Sequence, residues 1–330
     1  KYGYKSGIVG GLLLFALGCF LFLPAADTHQ YIYFLGALFI IASGLTFLET
    51  AANPYANIIG PPETATRRLN FAQSFNGLAA MVAPIIGGQF ILSGSEMSDE
   101  AYAKLSPEAL NNYLTTEAQS VKMPYLILGI LVLLVAVLFI VTKLPDVKEG
   151  DDNNAGNNPL KAFKHKHLTW AVATQFFYVG AQVCVLSLFI LYATAAAHIS
   201  EMQAAYYLGI GGLAFLAGRF LGTAIMKLIM PRILLTIYAM VCVLLCFIAI
   251  YGSGMTTVYA LIAICFFMSI MFPTIFSLGI QTLGKDTEMA SSLIVMSIVG
   301  GAILPRLFGL LSDHFSNIQY GYFIPMIAFS

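Results

Sequence analysis

Charge is what this sequence has least of. Lys+Arg 16 and Asp+Glu 16 make up 10% of its 330 residues, where a water-soluble domain carries about 25%. The two signs cancel to a formal net charge of +0, so no long-range field gathers a polyanion, and nucleic acid is excluded as a partner. Cysteine is also scarce. Cys19, Cys184, Cys242, Cys246 and Cys265 all lie in apolar runs without metal-ligand spacing, which argues against a zinc site or a disulfide framework and leaves small buried hydrophobes. There is no Gly-rich phosphate loop, Ser/His/Asp grouping or HExxH, and His165, His167 and His198 have no catalytic company. An ATPase or a membrane protease is therefore excluded, and no catalytic residue, metal or organic cofactor is expected.

What is abundant is apolar surface, with 59% hydrophobic residues and a mean hydropathy of +0.83. A soluble packing of such a chain would leave large apolar patches bare, so it reads as an integral membrane protein. A spanning helix takes about 20 mostly apolar residues. Dividing the chain on that length predicts spans at 6–26, 32–53, 69–93, 123–142, 168–196, 203–229, 233–252, 256–283 and 290–312, with a tenth beginning near Tyr320. No block alternates with period two, which argues against a transmembrane barrel. The chain opens on Lys1 and its first span has no clear cleavage site, which reads as a sequence lacking its natural start rather than a signal peptide.

Lys and Arg set the orientation. With the N-terminal stub inside, 13 of the 16 fall at cytoplasmic ends, and the loop 94–122 faces outward. Arg219 is counted among the 13, in Gly218-Arg219-Phe220-Leu221-Gly222, read as the start of a tight turn into 227–232. The polar stretch 143–167, rich in Asp and Asn, cannot bury a core and is expected to be a cytoplasmic linker between helical bundles 1–142 and 168–330.

The polar exceptions within spans carry the chemistry. Glu49 sits in Leu48-Glu49-Thr50-Ala51-Ala52-Asn53-Pro54. A carboxyl in hydrocarbon costs at least a few kcal/mol and normally faces a cavity, where it can carry a proton. Its nearness to the cytoplasmic end also allows an ordinary interfacial acid. Asn70, Gln73 and Asn76 recur at i, i+3, i+6 and lie near one helical face. Amides donate and accept, which suits sugar hydroxyls, and they serve equally well as hydrogen bonds between helices. Gln175, Tyr178 and Gln182 around Gly180 repeat the pattern in the second bundle, and two such faces favour a neutral, hydroxyl-rich ligand. Arg306, after Pro305, is expected to snorkel outward along its alkyl stem.

Four stretches carry a resemblance over essentially the whole chain: Leu48–Pro54, Arg68–Asn76, Gln175–Gln182 and Phe272–Ile280, the last reading Phe272-Pro273-Thr274-Ile275-Phe276-Ser277. The sequence resembles the fucose:proton symporters of the major facilitator superfamily. That resemblance implies an all-α polytopic fold of two helical bundles with alternating access, of which this chain holds helices three to twelve, the last incomplete. It implies proton coupling at Glu49 and cavity roles for Gln73 and Asn76; Asn53, Asn70, Tyr178, Gln182 and Phe272 complete the candidate substrate-binding set. It implies a monosaccharide substrate, L-fucose first, with protons as coupling ion, in a bacterial inner membrane with both termini of the full-length protein cytoplasmic.

Met271-Phe272 stands where the fucose symporters carry Gln-Tyr, and Leu186 and Leu191 stand where they carry Trp and Arg. The first change is similar to the related glucose/galactose transporters, which usually have Gln at the position of Glu49. Glucose or galactose transport is the alternative within the class, and a non-transporting sugar receptor the alternative outside it. A cysteine-label scan of the full-length protein is expected to find 94–122 reactive from outside and 147–165 from the cytoplasm; one shared side for both would void the span count.

Overall fold

The computed structural model describes residues 3–28, 30–90, 106–145 and 165–330. Among them are helices α1 (Gly3–Thr28), α2 (Tyr31–Ile58), α3 (Ala65–Phe90), α4 (Pro107–Ser120), α5 (Lys122–Val141), α6 (Lys166–Ser187), α7 (Phe189–Ala197) and α8 (Glu201–Ile225). There follow α9 (Pro231–Tyr251), α10 (Met255–Met268), α11 (Met271–Gly279), α12 (Thr287–Met296), α13 (Gly300–His314), α14 (Ile318–Gly321) and α15 (Phe323–Phe329), and no strand among the described residues. Among the described residues, eight helical stretches are long and apolar enough to cross a membrane by length and composition. The amide-rich α3 is not among them. Most of the linker assigned to 143–167, and residues 94–105 of the loop expected to face outward, lie outside the described residues.

The structure departs from the expected spans where apolar composition runs on through a break. The stretch 256–283 divides into α10 and α11, 168–196 into α6 and α7 at Leu188, and 290–312 into α12 and α13 across a short 3-10 turn. Inside the outward loop lies α4, absent from the sequence reading. Ser106 caps it by accepting from the Ala109 amide at 3.2 Å, with Pro107 at the first helical position, a strong start signal.

Contacts divide the chain into two compact units, Lys1–Tyr55 with Val82–Lys148, and Ala56–Met81 with Glu149–Ser330. In the first, α1 and α5 run antiparallel and are tied at both ends. The Lys5 ammonium donates to the Ile140 and Thr142 carbonyls at 2.9 and 3.0 Å, closing the C-terminus of α5, where a cation complements the helix dipole. At the far end Lys122 pairs with Asp27, and Phe22 stacks on Tyr125 with centroids 3.7 Å apart. Helices α1 and α2 approach through their backbones at Gly44, where a Cβ would lie 2.6 Å from the Phe15 nitrogen.

The second unit is built on α6, against which α11, α13 and α15 pack. Its core holds the fully buried rings of Tyr178, Phe189, Tyr192, Phe276, Phe308 and Tyr322. The five cysteines of the chain are buried and unpaired. Gly300 lets α13 reach α6, since a Cβ there would meet the Phe176 carbonyl oxygen at 2.0 Å. Backbone cannot yield as a side chain tip can. Gly300→Ala is therefore expected to destabilise the protein by about 1–3 kcal/mol, read as a thermal midpoint lowered by several degrees in detergent; an unchanged midpoint would show that this contact relaxes freely.

Candidate functional site

In the first unit the site is one turn of α2. Glu49 and Asn53 are four residues apart and so lie one above the other. The Asn53 amide donates to Glu49 Oε2, with Asn53 buried and Glu49 half-buried. Pro54 follows within the same helix and has no N–H to offer the Thr50 carbonyl. The Thr50 hydroxyl turns back to the Thr46 and Phe47 carbonyls, at 2.9 and 3.0 Å. The carboxyl thus projects from the body of α2, away from either helix end, next to a buried amide donor.

The second unit contains the amide face of α3. Asn76 is exposed, and its Nδ2 donates to Oε1 of the buried Gln73 at 3.2 Å. The pair is directional, with one amide reachable from outside and the other behind it. Phe71 and Phe75 stand edge to face at 5.6 Å, both exposed, and present apolar ring surface beside the amides. Asn70 faces inward. It is 1% exposed, and its Nδ2 donates to the Thr66 carbonyl at 2.9 Å and to Thr274 Oγ1 at 3.1 Å. Ser277 on α11 donates to Asn57 Oδ1 at 2.6 Å and lies 2.8 Å from Thr66 Oγ1, so α3 and α11 share a buried polar seam.

On α6, Tyr178 is buried and its hydroxyl donates to the Met268 carbonyl at 2.9 Å. Gln182, one turn on, is half-buried, as is Phe272 at the start of α11. Gln175 is fully buried with both amide atoms lacking a hydrogen-bond partner. The structure therefore brings Gln73 to Asn76, Asn53 to Glu49 and Asn70 to α11. It directs the Tyr178 hydroxyl to main chain at the end of α10.

Arg219 was missed. The sequence reading placed it at the cytoplasmic end of its span, but it lies within α8 and is 5% exposed. Its Nε donates to the Ser269 carbonyl at 2.9 Å, NH1 donates to the Gln73 carbonyl, and Cζ stands 4.9 Å from the Phe215 ring centroid. Gly218 before it marks a close helix approach, not a turn: a Cβ would lie 2.3 Å from the Phe266 carbonyl oxygen. The signal available in the sequence was distance, because position 219 lies about 15 Å along a helix from the end of the expected span 203–229. Arg306 is exposed on α13, and among the described residues no group of three or more His, Cys, Asp or Glu could hold a metal ion.

The family model of the Major Facilitator Superfamily matches residues 1–305. The L-fucose-proton symporter of Escherichia coli is 41% identical over 339 residues, covering 100% of this chain and 77% of that protein. A glucose/galactose transporter of Brucella abortus is 38% identical over 332 residues, with coverage of 100% and 77%. Among solved structures, the E. coli fucose:proton symporter matches with a TM-score of 0.93 at 41% identity, over 99% of this chain and 81% of that one.

Asn76→Ala removes the reachable amide of the pair. Losing one hydrogen bond to a ligand hydroxyl costs about 0.5–1.5 kcal/mol, a loss of up to roughly tenfold in affinity, to be read by sugar binding to the full-length protein. Unchanged binding in a folded variant would leave Asn76 as a contact within α3.

Proposed function

The chain belongs to the major facilitator superfamily, and from that premise we propose that it carries a monosaccharide across a bacterial inner membrane together with a proton, L-fucose being the sugar. It is a multi-pass membrane protein whose relatives include sugar:proton symporters and sugar transporters. Alternating access brings the sugar site to one side of the membrane and then the other, and a bound proton makes the reorientation of the loaded carrier productive. The proton is the only coupling partner in this reading. In the full-length protein both termini are cytoplasmic.

The observation that carries the reading is Glu49, a carboxyl within α2 and next to the buried donor Asn53. An ionisable side chain within an apolar spanning helix marks a functional site, and here that function is to take and release the coupled proton. Gln73, Asn76 and Gln182 supply amides that donate to and accept from hydroxyls, Phe272 an apolar face, and Tyr178 and Asn70 hold the helices that present them. Glu49 favours L-fucose, since the glucose/galactose transporters resembled usually have Gln at that position. Met271-Phe272 favours the second reading, glucose or galactose carried by the same site.

Linkage gives the test. If sugar prefers the protonated carboxyl, proton and sugar each tighten the other's binding by one factor. Glu49→Gln keeps a donor and an acceptor at this place but cannot titrate. In the full-length protein it is expected to bind and exchange sugar across the membrane while losing gradient-driven accumulation. Accumulation at the wild-type level would remove Glu49 from the coupling step. Competition of uptake by L-fucose, D-galactose and D-glucose decides the sugar.

A further inference from the structure

We infer that Arg219 is a positioning residue for sugar binding, bracing the Gln73–Asn76 amide pair against the break between α10 and α11. This inference rests on the reading of α3 as part of a sugar site. The break begins with chemistry in the sequence. Pro273 has no N–H, so the Ser269 carbonyl four residues before it receives no helical hydrogen bond from that position. In hydrocarbon no water replaces the missing donor. Arg219 Nε replaces it, at 2.9 Å.

The approach that permits this is built in. Gly218 lets α8 come against the end of α10, where a Cβ would lie 2.3 Å from the Phe266 carbonyl oxygen and 2.6 Å from Ser269 Oγ. The guanidinium lies by the Phe215 ring, which fixes its plane, and the same plane aims NH1 at the Gln73 carbonyl. A guanidinium has donors in a rigid fork and serves two acceptors on different helices at once, which a lysine ammonium on a flexible stem does poorly. Gln73 is then held twice: its main chain by Arg219, and its side chain by Asn76 at 3.2 Å. Any shift of the Ser269 end moves the amide pair with it. Phe272 stands just beyond the break, on the first turn of α11.

A purely structural Arg219 would do no more than satisfy Ser269, and Pro273→Ala separates the two roles because it returns an N–H to position 273. The experiment compares Arg219→Met/Pro273→Ala with Pro273→Ala alone, in the full-length protein reconstituted in lipid, with L-fucose and D-galactose as probes. The double variant has a main-chain donor for Ser269 and lacks only the brace, so it tests the proposal even where Arg219→Met alone fails to fold. It is expected to bind sugar about tenfold more weakly than its parent, the size of one charge-assisted hydrogen bond, and to exchange amide hydrogens faster over 70–77. Equal sugar affinity in the two proteins overturns the inference. Should the parent and wild type bind neither sugar, the sugar reading has failed separately; deuterium uptake over 70–77 then decides the brace, and equal uptake overturns it.

Discussion

A carbonyl in hydrocarbon has only protein to bond to, and much of the second unit is arranged to supply donors where its helices break. Pro273 takes a donor from Ser269, and the chain stops being a continuous helix between Met268 and Met271. Arg219 reaches in from α8, which requires the close approach at Gly218. Tyr178 reaches the Met268 carbonyl from α6. The same requirement shapes the end of α9, where Gln319 Nε2 donates to the Ala249 and Gly252 carbonyls at 3.0 and 2.9 Å. Side chains that look like candidates for ligand contact are thus partly committed to the backbone, which sorts them into those that hold the helices and those that remain reachable.

Packing between helices follows from the same solvent. Lipid tails are as apolar as the side chains, so association depends on dispersion contacts and close approach rather than on the exclusion of water. Gly44 and Gly300 bring backbone against backbone. The second unit adds aromatic rings meeting at an angle, as between Tyr192 and Tyr322 at 4.7 Å and between Phe308 and Tyr322 at 5.3 Å, a geometry favoured by the ring quadrupoles.

The chemistry left over is spare, and suits a neutral polyol. A carboxyl on α2 is partnered by a buried amide. An amide pair on α3 has one exposed member. Neither arrangement resembles a nucleophile with its base, and the relatives are transporters. In the coupling proposed above, proton occupancy at one residue alters the free energy of sugar binding, and the effect works in both directions.

Membrane residence and eight of the nine expected spans were legible in the sequence, the exception being 69–93, since α3 is not among the eight stretches that qualify within the described residues. They rest on composition, length and residue type, which a linear reading carries in full. The helix breaks were not legible, because Cys265, Phe266, Phe267 and Met268 continue the apolar run up to the break and Pro273 acts four residues upstream of itself. Nor was the helix Pro107–Ser120, which lies in a polar stretch that invited no span. Arg219 was misplaced because a charge near a glycine pair looks like an interfacial turn until the close approach at Gly218 and the Ser269 carbonyl it serves are seen. Tertiary structure alone decided that Asn70 and Tyr178 point into the protein while Asn76 is exposed, since helical periodicity puts residues on a face but does not say what that face meets. Sequence determined which groups needed partners; only the packed helices determined which partners they found, because a hydrogen bond is made across space and not along the chain.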